Sequence, residues 1–216
     1  MKKVMLVVAV WLSVIAFNAN ASDSYIGGDL TLASYPNAEW GSKIKNAAYA
    51  DGATYAYASD PASKVGLGIY GGQWLNENVG WEVGYDNLSS DKATVNVLKG
   101  GNNGVGNYQY AITALHASVL SGVQFGKSTL FGKLGYFNNS SELSGVAALT
   151  GASFSKTASG SGYLIGVGYR FPYSDKLSGR YGVDVFKGVV LTDIVDYAKT
   201  TSVDVVKLYF GLDYLF

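Results

Sequence analysis

Read two residues at a time, the chain separates into an apolar and a polar face along most of its length. "YIGGDLTLAS" sets Ile26, Gly28, Leu30 and Leu32 against Gly27, Asp29 and Thr31, and "KVGLGIYGGQW" sets Val65, Leu67 and Ile69 against Gly66, Gly68 and Tyr70. The alternation continues through "VGWEVGYDNL" from Val79, "YAITALHASVLSGVQF" from Tyr110, "LFGKLGYF" from Leu130, "GYLIGVGYRF" from Gly162 and "GRYGVDVF" from Gly179. It finishes in "KLYFGLDYLF", where Leu208, Phe210, Leu212, Tyr214 and Phe216 share one face. A period of two is the mark of a β-strand. The chain is therefore predicted to be all-β, with about eight antiparallel strands.

The connections alternate in length. Short turns fall near residues 75–78, 126–128 and 172–177, and long polar stretches near 35–64, 87–109, 138–160 and 188–202. In the long stretches, "KGGNNGVGN" and "KTASGSG" are runs of Gly, Asn and Ser expected to form mobile loops that resist packing. "ATYAYAS" can add a hairpin, which makes ten strands the alternative count. An even strand number, with short periplasmic turns at one end and long extracellular loops at the other, is the asymmetry of an up-and-down transmembrane β-barrel.

Size decides which face meets which solvent. A soluble barrel of the lipocalin type would bury its large apolar face and carry charge outside. Here Trp, Tyr and Leu share one face, more bulk than a narrow lumen is expected to hold, while the other face combines glycine with isolated charges. The apolar face is assigned to lipid and the glycine-and-charge face to the lumen. Trp74, Trp81, Tyr85, Tyr136, Tyr169, Tyr214 and Phe216 fall near predicted strand ends, where aromatic girdles meet the interface. After the first 21 residues no segment approaches the roughly 20 apolar residues of a spanning helix, and a closed barrel is the other way to satisfy a backbone in lipid.

The first residues, "MKKVMLVVAVWLSVIAFNANA", combine a basic start, an apolar run from Val4 to Phe17 and an A-x-A site, which is a secretory signal peptide over 1–21. The mature barrel domain is then 22–216. Removing Lys2 and Lys3 from the 16 basic residues leaves 14 against 16 acidic ones, and with no concentrated basic patch nucleic acid is not an expected partner. The absence of cysteine and the single histidine, His116, exclude a disulfide framework and thiolate or multi-histidine metal sites. No cofactor is expected. Glycine, at 28 residues, is well above the usual ~7%.

At "GWEVGYDNL", "LFGKLGY", "GYLIGVGYRF" and the terminal "FGLDYLF" the chain resembles the OmpA-like family of eight-stranded outer-membrane barrels, strand by strand. The resemblance implies the outer membrane of a Gram-negative bacterium, with its lipid and lipopolysaccharide as surroundings. It also implies insertion by the barrel assembly machinery, for which Phe210, Leu212, Tyr214 and Phe216 supply the terminal signal. In the family a lumenal carboxylate on the third strand faces basic residues of neighbouring strands. Glu82 matches the carboxylate, Lys133 and Arg180 match basic positions, and Gly168 stands where a second acid is expected. The family's namesake continues into a peptidoglycan-binding domain; this chain stops at Phe216, so no wall-anchoring role is expected.

Charge physics points to the same set. An unpaired charge in a narrow lumen is costly, and removing one partner of a buried pair costs about 3–5 kcal/mol. Glu82, Asp86, Lys133, Arg170, Arg180 and Asp184 are therefore predicted to pair inside the barrel. Three functions follow for such a molecule. The first is a non-enzymatic anchor whose loops serve surface display, adhesion to host or envelope molecules, or envelope integrity, with Trp40, Tyr49, Tyr55 and Tyr57 as candidate contacts. The second is a small gated pore, although about eight strands leave little room for solute. The third is a lipid A-modifying hydrolase using His116 and Ser118, two apart on one strand face. That pair faces the lumen, lies on the fourth strand and has no orienting acid legible in the sequence, so no catalytic residue is assigned.

Overall fold

The computed structural model describes residues 24–216; the expected leader and its cleavage point lie outside the described residues. Eight strands close a ring: β1 (Ser24–Ser34), β3 (Lys64–Trp74), β4 (Val79–Asn87), β6 (Asn102–Phe125), β7 (Ser128–Val146), β8 (Ser153–Pro172), β9 (Leu177–Thr192) and β10 (Thr200–Leu215). They pair antiparallel around the barrel in that order, and β10 returns to β1. Two more strands stand outside the ring. β5 (Ala93–Lys99) pairs with the upper part of β6, and β2 (Tyr55–Ala58) pairs with β5. One helix, α1 (Trp40–Ala50), occupies the first long connection. The segment "ATYAYAS" thus builds β2, a flank strand rather than a wall strand.

The facing follows the expected phase. Leu67, Ile165 and Phe210 are 65%, 52% and 48% exposed on the outer wall, while Asp29, Glu82, Lys133 and Lys207 on the opposite phase are buried. The outward apolar belt ends abruptly. On β7 the series Leu130, Leu134, Tyr136 passes to Asn138, Ser140 and Glu142; on β8 Val167, Ile165, Tyr163 passes to Ser161, Ser159 and Thr157. Tyr136 and Tyr163 pack edge to face at that boundary, with ring centroids 6.2 Å apart.

Above the belt the structure corrects the expectation of mobile loops. "KTASGSG" lies within β8, and "KGGNNGVGN" enters β6 at Asn102. Strands β7 and β8 stay in register up to Val146 and Ser153, so most of 138–160 is hairpin. The reason is that the inward phase stays apolar: Tyr108, Tyr110, Ile112, Leu143, Leu191 and Val205 form a buried cluster inside this extension. Trp40 of α1 drops into it and is 1% exposed. Its ring lies 4.7 Å from Tyr110 and 5.3 Å from Tyr35.

The lumen also takes more bulk than expected. Near the short-turn end Trp74, Leu120 and Phe131 are buried with Tyr25 and Tyr70 in a second cluster. Trp74 therefore belongs to the lumen, packed edge to face on Phe131 at 6.4 Å, and not to the outer girdle. Tyr85, Tyr136, Tyr214 and Phe216 do face outward. Bulk fits inside because most of it lies in two tiers, with glycine, charge and the Tyr209 ring between them.

Candidate functional site

Polar side chains from all eight wall strands enter the lumen, most of them between the two apolar tiers. Glu82 (β4) accepts from Tyr25 (β1) at 3.0 Å, is ion-paired with Arg180 (β9), and lies 2.9 Å from Lys133 Nζ (β7). Lys133 also donates to Asp184 (β9) at 3.1 Å. Lys207 (β10) donates to Asp86 (β4) at 2.6 Å and to Asp29 (β1) at 3.0 Å. At the short-turn end Arg170 Nε (β8) lies 3.1 Å from Asp213 (β10), which also accepts from Tyr70 (β3) at 2.7 Å. The Arg180 guanidinium sits over the Tyr70 ring, 3.3 Å from its centroid.

Of the residues expected from the sequence, Glu82, Lys133, Arg180 and Asp184 come together in one cluster, Asp86 joins a second cluster around Lys207, and Arg170 pairs with Asp213; Arg180 links the three, 4.0 Å from Asp29 and 3.9 Å from Asp213. Sequence reasoning left Asp29, Lys207, Asp213 and Tyr70 out of the set. All four lie on the polar phase of strands whose apolar phase was legible, and that shared phase was the signal available. Gly168, where an acid was expected, leaves space that Phe131 and Tyr209 fill: a Cβ there would lie 2.4 Å from the Phe131 ring and 2.5 Å from the Tyr209 hydroxyl.

His116 and Ser118 (β6) belong to the second cluster. Ser118 Oγ is 3.5 Å from His116 Nδ1, and His116 Nε2 is 3.3 Å from Asp86 Oδ2. The order hydroxyl, imidazole, carboxylate is that of an activated nucleophile. Here, however, the carboxylate is held by Lys207, and Ser118 is buried in the lumen beneath Phe186, which packs edge to face on His116 at 6.2 Å. The arrangement extends the ionic layer. The terminal-strand residues Phe210, Leu212, Tyr214 and Phe216 lie on the outer wall, each about half exposed.

A family model described as "Outer membrane protein beta-barrel domain" matches residues 4–216. The chain belongs to this family. Its place is accordingly the outer membrane of a Gram-negative bacterium, crossed by strands. Similar solved structures include Ail, the attachment invasion locus protein of Yersinia pestis, at 14% identity over 90% of this chain and 97% of that one, with a TM-score of 0.44. Neisserial surface protein A is similar at 15% identity over 89% and 97%, with a TM-score of 0.46. OprG of Pseudomonas aeruginosa is similar at 15% over 91% and 96%, with a TM-score of 0.47. No curated protein matches the sequence.

Proposed function

We propose that this family member is a sealed outer-membrane anchor whose extracellular extension is the working surface, used for surface interaction or envelope integrity. The observation that carries the reading is the filled lumen: an ionic layer enclosed between the Trp74–Phe131 tier and the apolar cluster closed by Trp40. Ions crossing it would have to break several buried pairs at once, each at a cost of several kcal/mol. The lumenal network then acts as a structural plug, and the outward aromatic set ending in Phe216 serves as the signal for the barrel assembly machinery.

The pore reading predicts discrete conductance steps from folded protein in a planar bilayer; the anchor reading predicts silence. Pulldown from envelope and host-surface material, with variants lacking 35–64 or 147–152 as controls, is the direct test. Partners retained by the intact extension and lost with the deletions support display, and equal recovery with the deletions removes it. The hydrolase reading has less support, because Ser118 faces away from acyl chains; unchanged lipid A on overexpression disposes of it.

A further inference from the structure

Above the belt the outer wall changes chemistry without losing its strands. Thr113, Ser140 and Ser159 stand in one row across β6, β7 and β8, directly above the row of Leu115, Asn138 and Ser161. On the outward phase of β7 and β8 above Tyr136 and Tyr163 the one charged group is Glu142, and it accepts from Ser155 Oγ at 2.7 Å. A surface that meets only water ordinarily carries about 25–35% charged residues. This wall is built instead of hydroxyls and amides.

The flank continues the pattern and adds aromatic rings. In β2 Ala56 and Ala58 are buried, so Tyr55 and Tyr57 occupy the outward phase, 52% and 47% exposed. Alternate residues on a strand face lie ~7 Å apart. Tyr57 stands beside Asn96 of β5, and Asn96 beside Val105 of β6. Val105 is ten residues beyond Leu115, which at ~3.4 Å per residue and ~40° tilt raises the platform roughly 25 Å above the belt. The charge nearest in sequence on β5, Lys99, is paired with Asp51 at 2.6 Å.

The free edge of β2 is closed to an added strand. The Ala56 N–H donates to the Tyr49 hydroxyl at 3.3 Å, and that hydroxyl lies 3.4 Å from the Ala56 carbonyl. A peptide seeking edge pairing finds both groups engaged. What remains is a face of rings and amides on the outer side of the wall, with exposed Lys92, just before the start of β5, as the charge beside it. Tyrosine offers an apolar ring face and a polar tip, which suits the C–H faces and hydroxyls of a sugar. A flank this poor in charge suits the hydroxyl-rich outer sugars of a polysaccharide better than a strongly anionic polymer.

We infer that the β2–β5–β6 flank is a saccharide-contacting surface whose partner is the sugar portion of lipopolysaccharide standing in the same leaflet. Tyr55 and Tyr57 stack on sugar rings, and Asn96 hydrogen-bonds their hydroxyls. The inference rests on the reading of the extension as the working surface and names what that surface touches.

The test uses the folded full-length barrel in detergent and, as probe, lipid A-free saccharide released from lipopolysaccharide by mild acid. The readout is saturation transfer from protein to sugar protons by NMR. Transfer is expected to saturate with saccharide, to fall at least tenfold in Tyr55→Ala/Tyr57→Ala, and to persist in Tyr55→Phe/Tyr57→Phe, with heat-modifiable gel mobility reporting that each variant is folded. No transfer in the folded wild type, or undiminished transfer in the alanine variant, overturns the inference. Transfer to a host-type glycan but not to the lipopolysaccharide saccharide overturns the assigned source, and capture of a protein partner without saccharide transfer assigns the flank to that partner instead. Loss of envelope or host partners on loop deletion, together with no saccharide transfer, sinks this inference while leaving the display function in place.

Discussion

Gly68 lies directly beneath the Asp29 carboxylate: a Cβ built on it would come within 2.1 Å of Asp29 Oδ1 and 2.6 Å of Asp86 Oδ1. These are the two carboxylates that Lys207 holds. The same relation recurs where a Cβ on Gly166 would lie 2.0 Å from Asp184 Oδ1, and one on Gly84 2.3 Å from His116 Nε2. Lumenal glycine is therefore the space into which charged side chains from neighbouring strands lie flat, which gives the glycine-rich composition a packing cause.

Gly68→Ala is expected to displace both carboxylates from Lys207 and to destabilise the barrel by about 1–3 kcal/mol, the usual cost of overpacking. Gly28 supplies the control, because a Cβ there meets nothing nearer than a backbone oxygen at 3.5 Å. Urea unfolding midpoints in detergent should fall for Gly68→Ala and stay near wild type for Gly28→Ala. Equal midpoints for the two variants would show that the cradle has no energetic consequence.

Lys207→Met removes the cation shared by Asp29 and Asp86 and leaves two buried carboxylates meeting over Gly68, with Arg180 4.0 Å from Asp29 and His116 3.3 Å from Asp86 as their remaining neighbours. Stranding buried charge in this way costs about 3–5 kcal/mol. The remedy is specific: adding Asp29→Asn to Lys207→Met is expected to return part of the loss, whereas adding Asp51→Asn, whose carboxylate pairs with Lys99 outside the lumen, should return none. Equal recovery from either second substitution would show that Lys207 does not act through its lumenal partners.

How much of this was legible in the sequence follows from where hydrophobic contrast exists. In the belt the outward residues are mostly apolar and many inward ones small or charged, and β3 was legible as a strand through Val65, Leu67 and Ile69, although Trp74 at its end was assigned to the wrong face. Above the belt the contrast vanishes from the outside, because Ser159, Ser161 and Asn138 give no period-two signal against Gly160, Gly162 and Asn139. Backbone pairing carries the strands on regardless. Trp74, Leu120 and Leu164 were misplaced or overlooked for a related reason: an apolar side chain on the lumen phase looks like an error of phase until the lumen is known to have apolar tiers. Helix α1 was passed over because its apolar stripe is short: Trp40, Ile44 and Ala48 fall at helical spacing, but only Trp40 and Gly41 of its eleven residues are buried.

Ile165 stands at mid-belt on β8, with Tyr169 and Tyr163 marking the two boundaries of its face. Ile165→Arg puts a guanidinium against acyl chains near the bilayer centre, at a cost of roughly 2–4 kcal/mol. Folding into vesicles, followed by heat-modifiable gel mobility, should show a reduced folded fraction. Ser159→Arg, two outward positions beyond Tyr163 on the polar wall, should fold as wild type. Normal folding of Ile165→Arg together with failure of Ser159→Arg would invert the placement of the membrane.

The β9–β10 connection carries its own acid response. Asp193 accepts from the backbone amides of Val195 and Asp196 at 2.9 and 3.1 Å, and Lys43 of α1 lies 3.6 Å away. Partial burial works against the charged form, but the two amides and Lys43 outweigh it and hold the carboxyl below its usual range. A lowered value in the folded state means that the carboxylate contributes its full stabilisation above the ordinary Asp pKa of ~4, and that this is lost as pH falls through the lowered value. Asp196, bonded to Lys199, is displaced in the same direction, so the two acids act together on one loop. Amide exchange at 193–199, corrected for its intrinsic pH dependence, should be flat from pH 7 to about 5 and rise below about 4, while the paired strands beneath stay protected. Asp193→Ala should raise exchange in the loop already at pH 7 and leave a smaller acid step, the remainder belonging to Asp196. A loop that stays equally protected to pH 3, or tightens on acidification, would mean that these carboxylates do not hold it.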